Sequence, residues 1–140
     1  MTTATITNLF TNLNEVSTVQ HTKEVHTPLR WFGGKFFLSK EIISRIPAHH
    51  CYVEPFAGSS QVLTQKTASK VEVINDIDES LINFLMTLRG QKEELIQSLM
   101  TLPTSRAIAE RWMNEPLPED PFEQAVRFYY LLRHIGTVMC

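Results

Sequence analysis

Three stretches of this 140-residue chain hold residues that could do chemistry together: Trp31 to Lys35, Glu54 to Ser59, and Asp76. The middle one is the turn Pro55-Phe56-Ala57-Gly58-Ser59-Ser60, placed after a short strand-forming run. A glycine there lets backbone approach a ligand closely, because no Cβ intervenes. A helix starting just beyond it offers free N–H groups and positive potential. Asp76 closes the next apolar run, 20 residues after Phe56, where an acid can accept hydrogen bonds from ribose hydroxyls. The chemistry this suggests is the holding of a nucleoside. A pyrophosphate-bearing dinucleotide fits poorly, because the turn lacks the three glycines of that fingerprint. Ser59 and Ser60 stand where bare backbone would be needed, so NAD and an oxidoreductase function are disfavoured.

Each of these residues also has a plainer use. Asp76 alone reads as the N-cap of a following helix, Trp31 as a core residue, and Gly33-Gly34 as a turn. Arg30 reads equally well as a solvated surface charge. It is the ordered combination that points to a site.

The elements that must position them follow from periodicity. Leu38, Ile42, Ile43 and Ile46 recur at helical spacing until Pro47 ends the helix. Cys51-Tyr52-Val53-Glu54 reads as a strand, and Ser59 or Ser60 as the N-cap of a helix carrying Val62 and Leu63. Val71-Glu72-Val73-Ile74 reads as a second strand, stopped by Asn75-Asp76. A helix follows with Leu81, Ile82, Phe84, Leu85 and Leu88 on one face, closing at Gly90. Beyond it come three more helices. The first carries Leu95, Ile96 and Leu99, and the second runs from Ala107 to Trp112. The third opens at Asp120-Pro121, with Phe122, Ala125, Val126 and Tyr129 inward. Strand, turn, helix, strand, helix is the opening of a doubly wound parallel sheet, so the expected class is α/β. The chain divides into a flexible leader over 1–27 with one short helix around Leu9–Val16, a ligand-binding α/β portion over 28–90, and a helical segment over 91–140.

Composition narrows the class further. Hydrophobic residues make up 43% and charged residues 20%, as in a globular domain. A chain of this size can bury roughly 68–70% of its unfolded surface without disulfides. Cys51 and Cys140 are far apart and form no CxxC pair, which argues against a zinc site or a disulfide framework and for a reducing compartment. The net charge is −2, against a protein that coats DNA but not against one touching it with a single face. Residues 1–50 carry five Lys/Arg against three Glu, and the remainder eight against twelve acids, so the small basic excess is N-terminal. No run approaches 18 apolar residues, and the start lacks a secretory pattern.

Taken in order, Pro28-Leu29-Arg30-Trp31-Phe32-Gly33-Gly34-Lys35, Tyr52-Val53-Glu54-Pro55-Phe56-Ala57-Gly58-Ser59 and Ile74-Asn75-Asp76-Ile77 resemble the Dam-type adenine-specific DNA methyltransferases. The resemblance is strong over residues 28–90 and weaker through Ala125-Val126-Arg127-Phe128-Tyr129-Tyr130-Leu131. It implies a Rossmann-like S-adenosylmethionine-dependent methyltransferase fold, here incomplete. It also implies methyl transfer from S-adenosylmethionine to the exocyclic amino group of adenine in double-stranded DNA, in the cytoplasm. By the same resemblance Trp31 packs on the cofactor and Lys35 reaches its carboxylate. Glu54, Phe56, Ala57, Gly58 and Ser59 form the cofactor loop. Asp76 accepts from both ribose hydroxyls, and Ile77 flanks the adenine. Arg30 faces DNA, where an arginine can read guanine in the major groove.

One part of the family pattern is missing. The flipped-out adenine is normally gripped by Asp or Asn, two prolines and an aromatic residue. This chain contains no Pro-Pro. Asp120-Pro121-Phe122 comes nearest, but an Asp N-cap and a Pro at the first helical position explain it fully. The chain is therefore expected to be a truncated, catalytically inactive part of such an enzyme, with no catalytic residue assigned. The alternative is an S-adenosylmethionine-binding partner or regulatory fragment served by a complementing chain. An unfinished parallel sheet would leave an apolar edge, so poor solubility alone is a further expectation.

Overall fold

The computed structural model describes residues 4–5, 27–31 and 34–138. The expected helix around Leu9–Val16 lies outside the described residues, as do Phe32 and Gly33. The elements are β1 (Ala4–Thr5), α1 (Ser39–Ser44), β2 (Cys51–Glu54), α2 (Gln61–Gln65), β3 (Val71–Ile74), α3 (Glu79–Gly90), α4 (Lys92–Thr101), α5 (Arg106–Asn114) and α6 (Pro121–Val138). The chain splits into two compact units, residues 1–77 and 78–140.

In the first unit β2 and β3 pair in parallel, with Tyr52 opposite Glu72 and Glu54 opposite Ile74. Parallel strands need a crossover between them, and α2 lies in it, as the alternating pattern predicts. Ala4–Thr5 adds an antiparallel edge on the other side of β3, giving the order β1-β3-β2. The two-residue strand β1 has no counterpart in the sequence reading. The result is a mixed α/β arrangement with a small parallel sheet. Ile74 is fully buried, and Leu29, Ala57, Val62 and Leu63 close the core around it. Ser39, also buried, donates its hydroxyl to Gln65 Oε1 at 2.5 Å and so ties α1 to α2. Leu38 is 61% exposed and precedes α1, so the apolar stripe proposed for that helix reduces to Ile42 and Ile43.

Near the amino ends of β2 and β3 sits a buried ion pair. Lys66 Nζ lies 2.5 Å from Glu72 Oε1, 2.8 Å from Ser69 Oγ and 4.5 Å from the centroid of the Tyr52 ring. Two charges removed from water need such partners to be tolerated. Burial first, then the Glu54 and Glu72 carboxylates, push the Tyr52 phenol up to about 12.

The second unit is helical. Its three well-formed caps are side-chain oxygens on helix-opening amides. Asp78 Oδ1 accepts from Ser80 N and Leu81 N, Ser105 Oγ from Ile108 N, and Asp120 Oδ2 from Glu123 N. Asp120-Pro121 is therefore a helix start, as its spacing suggested. Leu81, Phe84, Leu85, Leu95, Ala109, Ala125, Val126 and Tyr130 are buried, and Phe84 stacks on Tyr129 at 5.5 Å. Arg127, also buried, donates to the carbonyls of Trp112, Glu115 and Pro116, satisfying chain that leaves the carboxyl end of α5. Gly90 is the last residue of α3 rather than a left-handed stop, and the chain passes through Gln91 into α4. No described helix is long and apolar enough to cross a membrane.

Candidate cofactor site

The site grows from the carboxyl ends of β2 and β3, which lie side by side because Glu54 pairs with Ile74. Past these ends the ladder continues irregularly: Asn75 N donates to Glu54 O at 2.9 Å, and Ala57 N to Asn75 O at 3.0 Å. The Asn75 side-chain amide also donates to Pro55 O at 2.9 Å. Asn75 thereby staples the turn to the end of β3, a role the sequence reading did not assign to it.

The turn itself needs unusual backbone. Gly58 has φ +50° and Ser60 φ +53°. The left-handed region costs an ordinary L-residue about 1–2 kcal/mol, so glycine at 58 is the natural choice and serine at 60 is strained. Gly58 has a second reason to be glycine. A Cβ there would stand 3.3 Å from Trp31 Cδ1 and 3.4 Å from Trp31 Nε1, so the indole lies directly against the turn. Trp31 is in turn held by its own backbone: its carbonyl accepts from Gly34 N at 3.1 Å. Ser60 occupies the N-cap position of α2, but its side chain makes no capping bond and its buried Oγ has no partner among the described residues. The expected capping by a serine hydroxyl is therefore not seen at Ser60; its carbonyl makes the ordinary first helical bond, accepting from Thr64 N.

Asp76 enters from the end of β3. Its Oδ2 accepts from Gly58 N at 2.8 Å, so the acid is fixed against the turn. It is not the cap of α3, since Asp78 does that. Lys35 reaches in from the other side, donating to Phe56 O at 3.2 Å with its Nζ 3.8 Å from Glu54 Oε1. Burial is the main influence on Glu54 and raises its carboxyl above the ordinary range; Lys35, the Leu63 backbone N–H and Lys66 pull it partly back.

Trp31, Gly34, Lys35, Phe56, Ala57, Gly58, Ser59, Gln61 and Asp76 enclose a cleft of about 220 Å³. That is below the roughly 300–1,000 Å³ of complete small-molecule sites, so it accounts for part of a nucleoside-sized ligand. The structure brings together seven of the residues singled out in the sequence: Trp31, Lys35, Phe56, Ala57, Gly58, Ser59 and Asp76. Glu54 is buried beneath them, within reach of Lys35. Ile77 is 95% exposed and does not line the cleft. Arg30 is exposed beside Trp31 and also lies off the wall. Gln61, which sequence reasoning passed over, is on the wall and buried. Nothing in a single glutamine after two serines signals that, because its burial depends on how the turn folds.

The chemistry of the cleft is that of a nucleoside holder: a flat aromatic wall, close-approach backbone at Gly58, one anchored carboxylate and one ammonium. In α/β proteins with parallel strands, ligands sit beyond the carboxyl ends of the strands, which is where this cleft lies. The D12 class N6 adenine-specific DNA methyltransferase model matches residues 31–140, and the chain belongs to that family. It is 31% identical over 117 residues to the DNA adenine methylase of Salmonella typhi and, to the same extent, to that of Escherichia coli K12. Each match covers 80% of this chain and 42% of the relative. The DNA N-6-adenine-methyltransferase of Escherichia phage P1 is 29% identical over 112 residues, 75% of this chain and 14% of that protein. The chain thus spans about two fifths of the length of the bacterial relatives it matches.

Proposed function

We propose that these 140 residues form the S-adenosylmethionine-binding portion of a DNA adenine methyltransferase with a Rossmann-like fold. That enzyme would transfer a methyl group to the exocyclic amino group of adenine in double-stranded DNA in the cytoplasm. The observation that carries this reading is the anchored Asp76 carboxylate facing Trp31 across Gly58. Family membership and the names of the relatives support it.

The residues present fit the cofactor. A carboxylate has about four lone-pair sites, so one that accepts from the Gly58 N–H is also chemically suited to accept from ribose hydroxyls. Gly58 leaves the wall open where a Cβ would stand against the indole. The Lys35 ammonium has three donors, and its bond to Phe56 O leaves capacity for a carboxylate. Phe56, 79% exposed, and Ile77 offer apolar surface to an adenine ring. When bound, S-adenosylmethionine supplies an electrophilic methyl on a sulfonium. This chain's own residues bind and orient its donor, and orientation is a large part of such a rate. Arg30, exposed beside Trp31, is the proposed DNA contact.

The adenine acceptor needs a grip of Asp or Asn, two prolines and an aromatic residue, and these 140 residues contain no Pro-Pro. That favours a division of labour: this stretch binds the methyl donor and, alone, transfers nothing. A cofactor-binding partner or regulatory role beside a complementing chain is the second reading, supported by the same absence. Equilibrium dialysis with S-adenosylmethionine and with NAD, paired with a labelled-methyl assay on adenine-containing duplex, tests the proposal. Retention of S-adenosylmethionine alone, with no incorporation, is expected. Retention of NAD or of neither ligand contradicts the cofactor assignment, and incorporation contradicts the division of labour.

A further inference from the structure

Among the described residues, the buried side-chain polar atoms without a hydrogen-bond partner belong to Glu54, Ser60, Gln61 and Arg127. Of these residues only Gln61 lines the cofactor cleft. It is 4% exposed, and its Nε2 finds no acceptor among the described residues. Burying an amide donor without an acceptor is costly, and native structures leave few such groups. Where one stands on the wall of a binding cleft, a ligand acceptor accounts for it. The terminal amide turns about a single soft torsion, so its NH₂ can be presented to the cleft without a change in packed volume.

We propose that Gln61 contacts the cofactor, its side-chain amide donating to the carboxylate of the methionine moiety of S-adenosylmethionine. This rests on the cofactor reading above and deepens it. The choice of ligand atom comes from what the rest of the wall does. Asp76 is an acceptor and faces ribose hydroxyls, which are donors. Gln61 opens α2 three residues beyond Gly58, whereas Asp76 enters from the end of β3. The cation of the cleft, Lys35, is already shared with Phe56 O at 3.2 Å and Glu54 at 3.8 Å. A ligand carboxylate there meets a partly compensated ammonium, and a second, neutral donor completes its coordination.

The test uses two probes on the 140-residue chain: S-adenosylmethionine, and 5′-methylthioadenosine, which keeps the nucleoside and lacks the amino-acid carboxylate. Gln61→Leu preserves most of the side-chain volume and removes the amide; Gln61→Glu places a negative charge at the same point. Gln61→Leu should weaken S-adenosylmethionine about tenfold, the scale of a hydrogen bond to a charged group. Gln61→Glu should weaken it further. Neither should change binding of methylthioadenosine, and that unchanged binding also reports an intact turn. Equal S-adenosylmethionine affinity in wild type and Gln61→Leu overturns this assignment while leaving the cofactor site standing. Parallel loss of both probes overturns it as well, since Gln61 would then serve the turn. If the wild-type chain binds neither probe, the cofactor reading fails and this inference with it.

Discussion

The Asp76 carboxylate accepts the Gly58 amide at 2.8 Å, joining the ends of two parallel strands across 18 residues of chain. One acid therefore both closes the turn and faces the cleft. Asp76→Asn separates these jobs. The carboxamide retains an oxygen for Gly58 N but offers an NH₂ where a second acceptor stood. Thermal unfolding should change little, while S-adenosylmethionine affinity drops at least tenfold by calorimetry, as expected for a lost charge-assisted bond.

Gly58 joins a left-handed backbone to contact with an indole. Gly58→Ala places a methyl 3.3 Å from Trp31 Cδ1 at φ +50°. Denaturant titration should show a loss of about 1–2 kcal/mol from backbone conformation alone. Trp31 fluorescence should shift as the ring is pushed away, and cofactor affinity should fall with it. Unchanged stability would mean that the turn relaxes to a right-handed form.

The buried pair Lys66–Glu72 predicts an asymmetric pair of variants. Lys66→Met leaves the Glu72 carboxylate, 7% exposed, without its cation and should cost about 3 kcal/mol or more. The double variant Lys66→Met with Glu72→Leu should recover much of that loss. Chemical denaturation of the three proteins measures it, and equal losses in single and double variants would argue against the pair.

Tyr52 sets a pH window. Its phenol titrates near 10 when unfolded and near 12 in the fold, chiefly because it is buried. A raised pKa means that the fold favours the protonated form. That contribution is complete below pH 10 and is lost as pH rises through about 12. Tyr52→Phe should therefore lose less stability than wild type between these values, with the two curves parallel below pH 9.

The parts of this molecule that were legible in the sequence are those set by local order. A strand, a Pro-Phe-Ala-Gly turn, a helix and a second strand ending in an acid can be read along the chain, and five cleft residues, Phe56 to Ser59 and Asp76, lie in them, while Trp31 and Lys35 came from the family resemblance. Asp120-Pro121 was legible for the same reason, because cap and first helical residue are adjacent. What escaped depends on which segments meet in space. Ala4–Thr5 could not be placed on β3, since two residues carry no period. Lys66 and Glu72 look like ordinary surface charges until β2 and β3 pair and bury them. Asp78 was not offered as the cap of α3, because it differs from Asp76 by two residues of register, below what periodicity resolves. Gln61 carried no signal, because its orphaned amide arises from packing around a strained turn.

The most direct measurement is calorimetric titration of S-adenosylmethionine into the 140-residue chain and into its Asp76→Ala variant. Saturable one-to-one binding by the wild type, weakened about ten- to a hundredfold in Asp76→Ala, is the predicted result for removal of a charged acceptor. Equal affinity in the two proteins, or no binding by the folded wild type, would contradict a cofactor site built on Asp76.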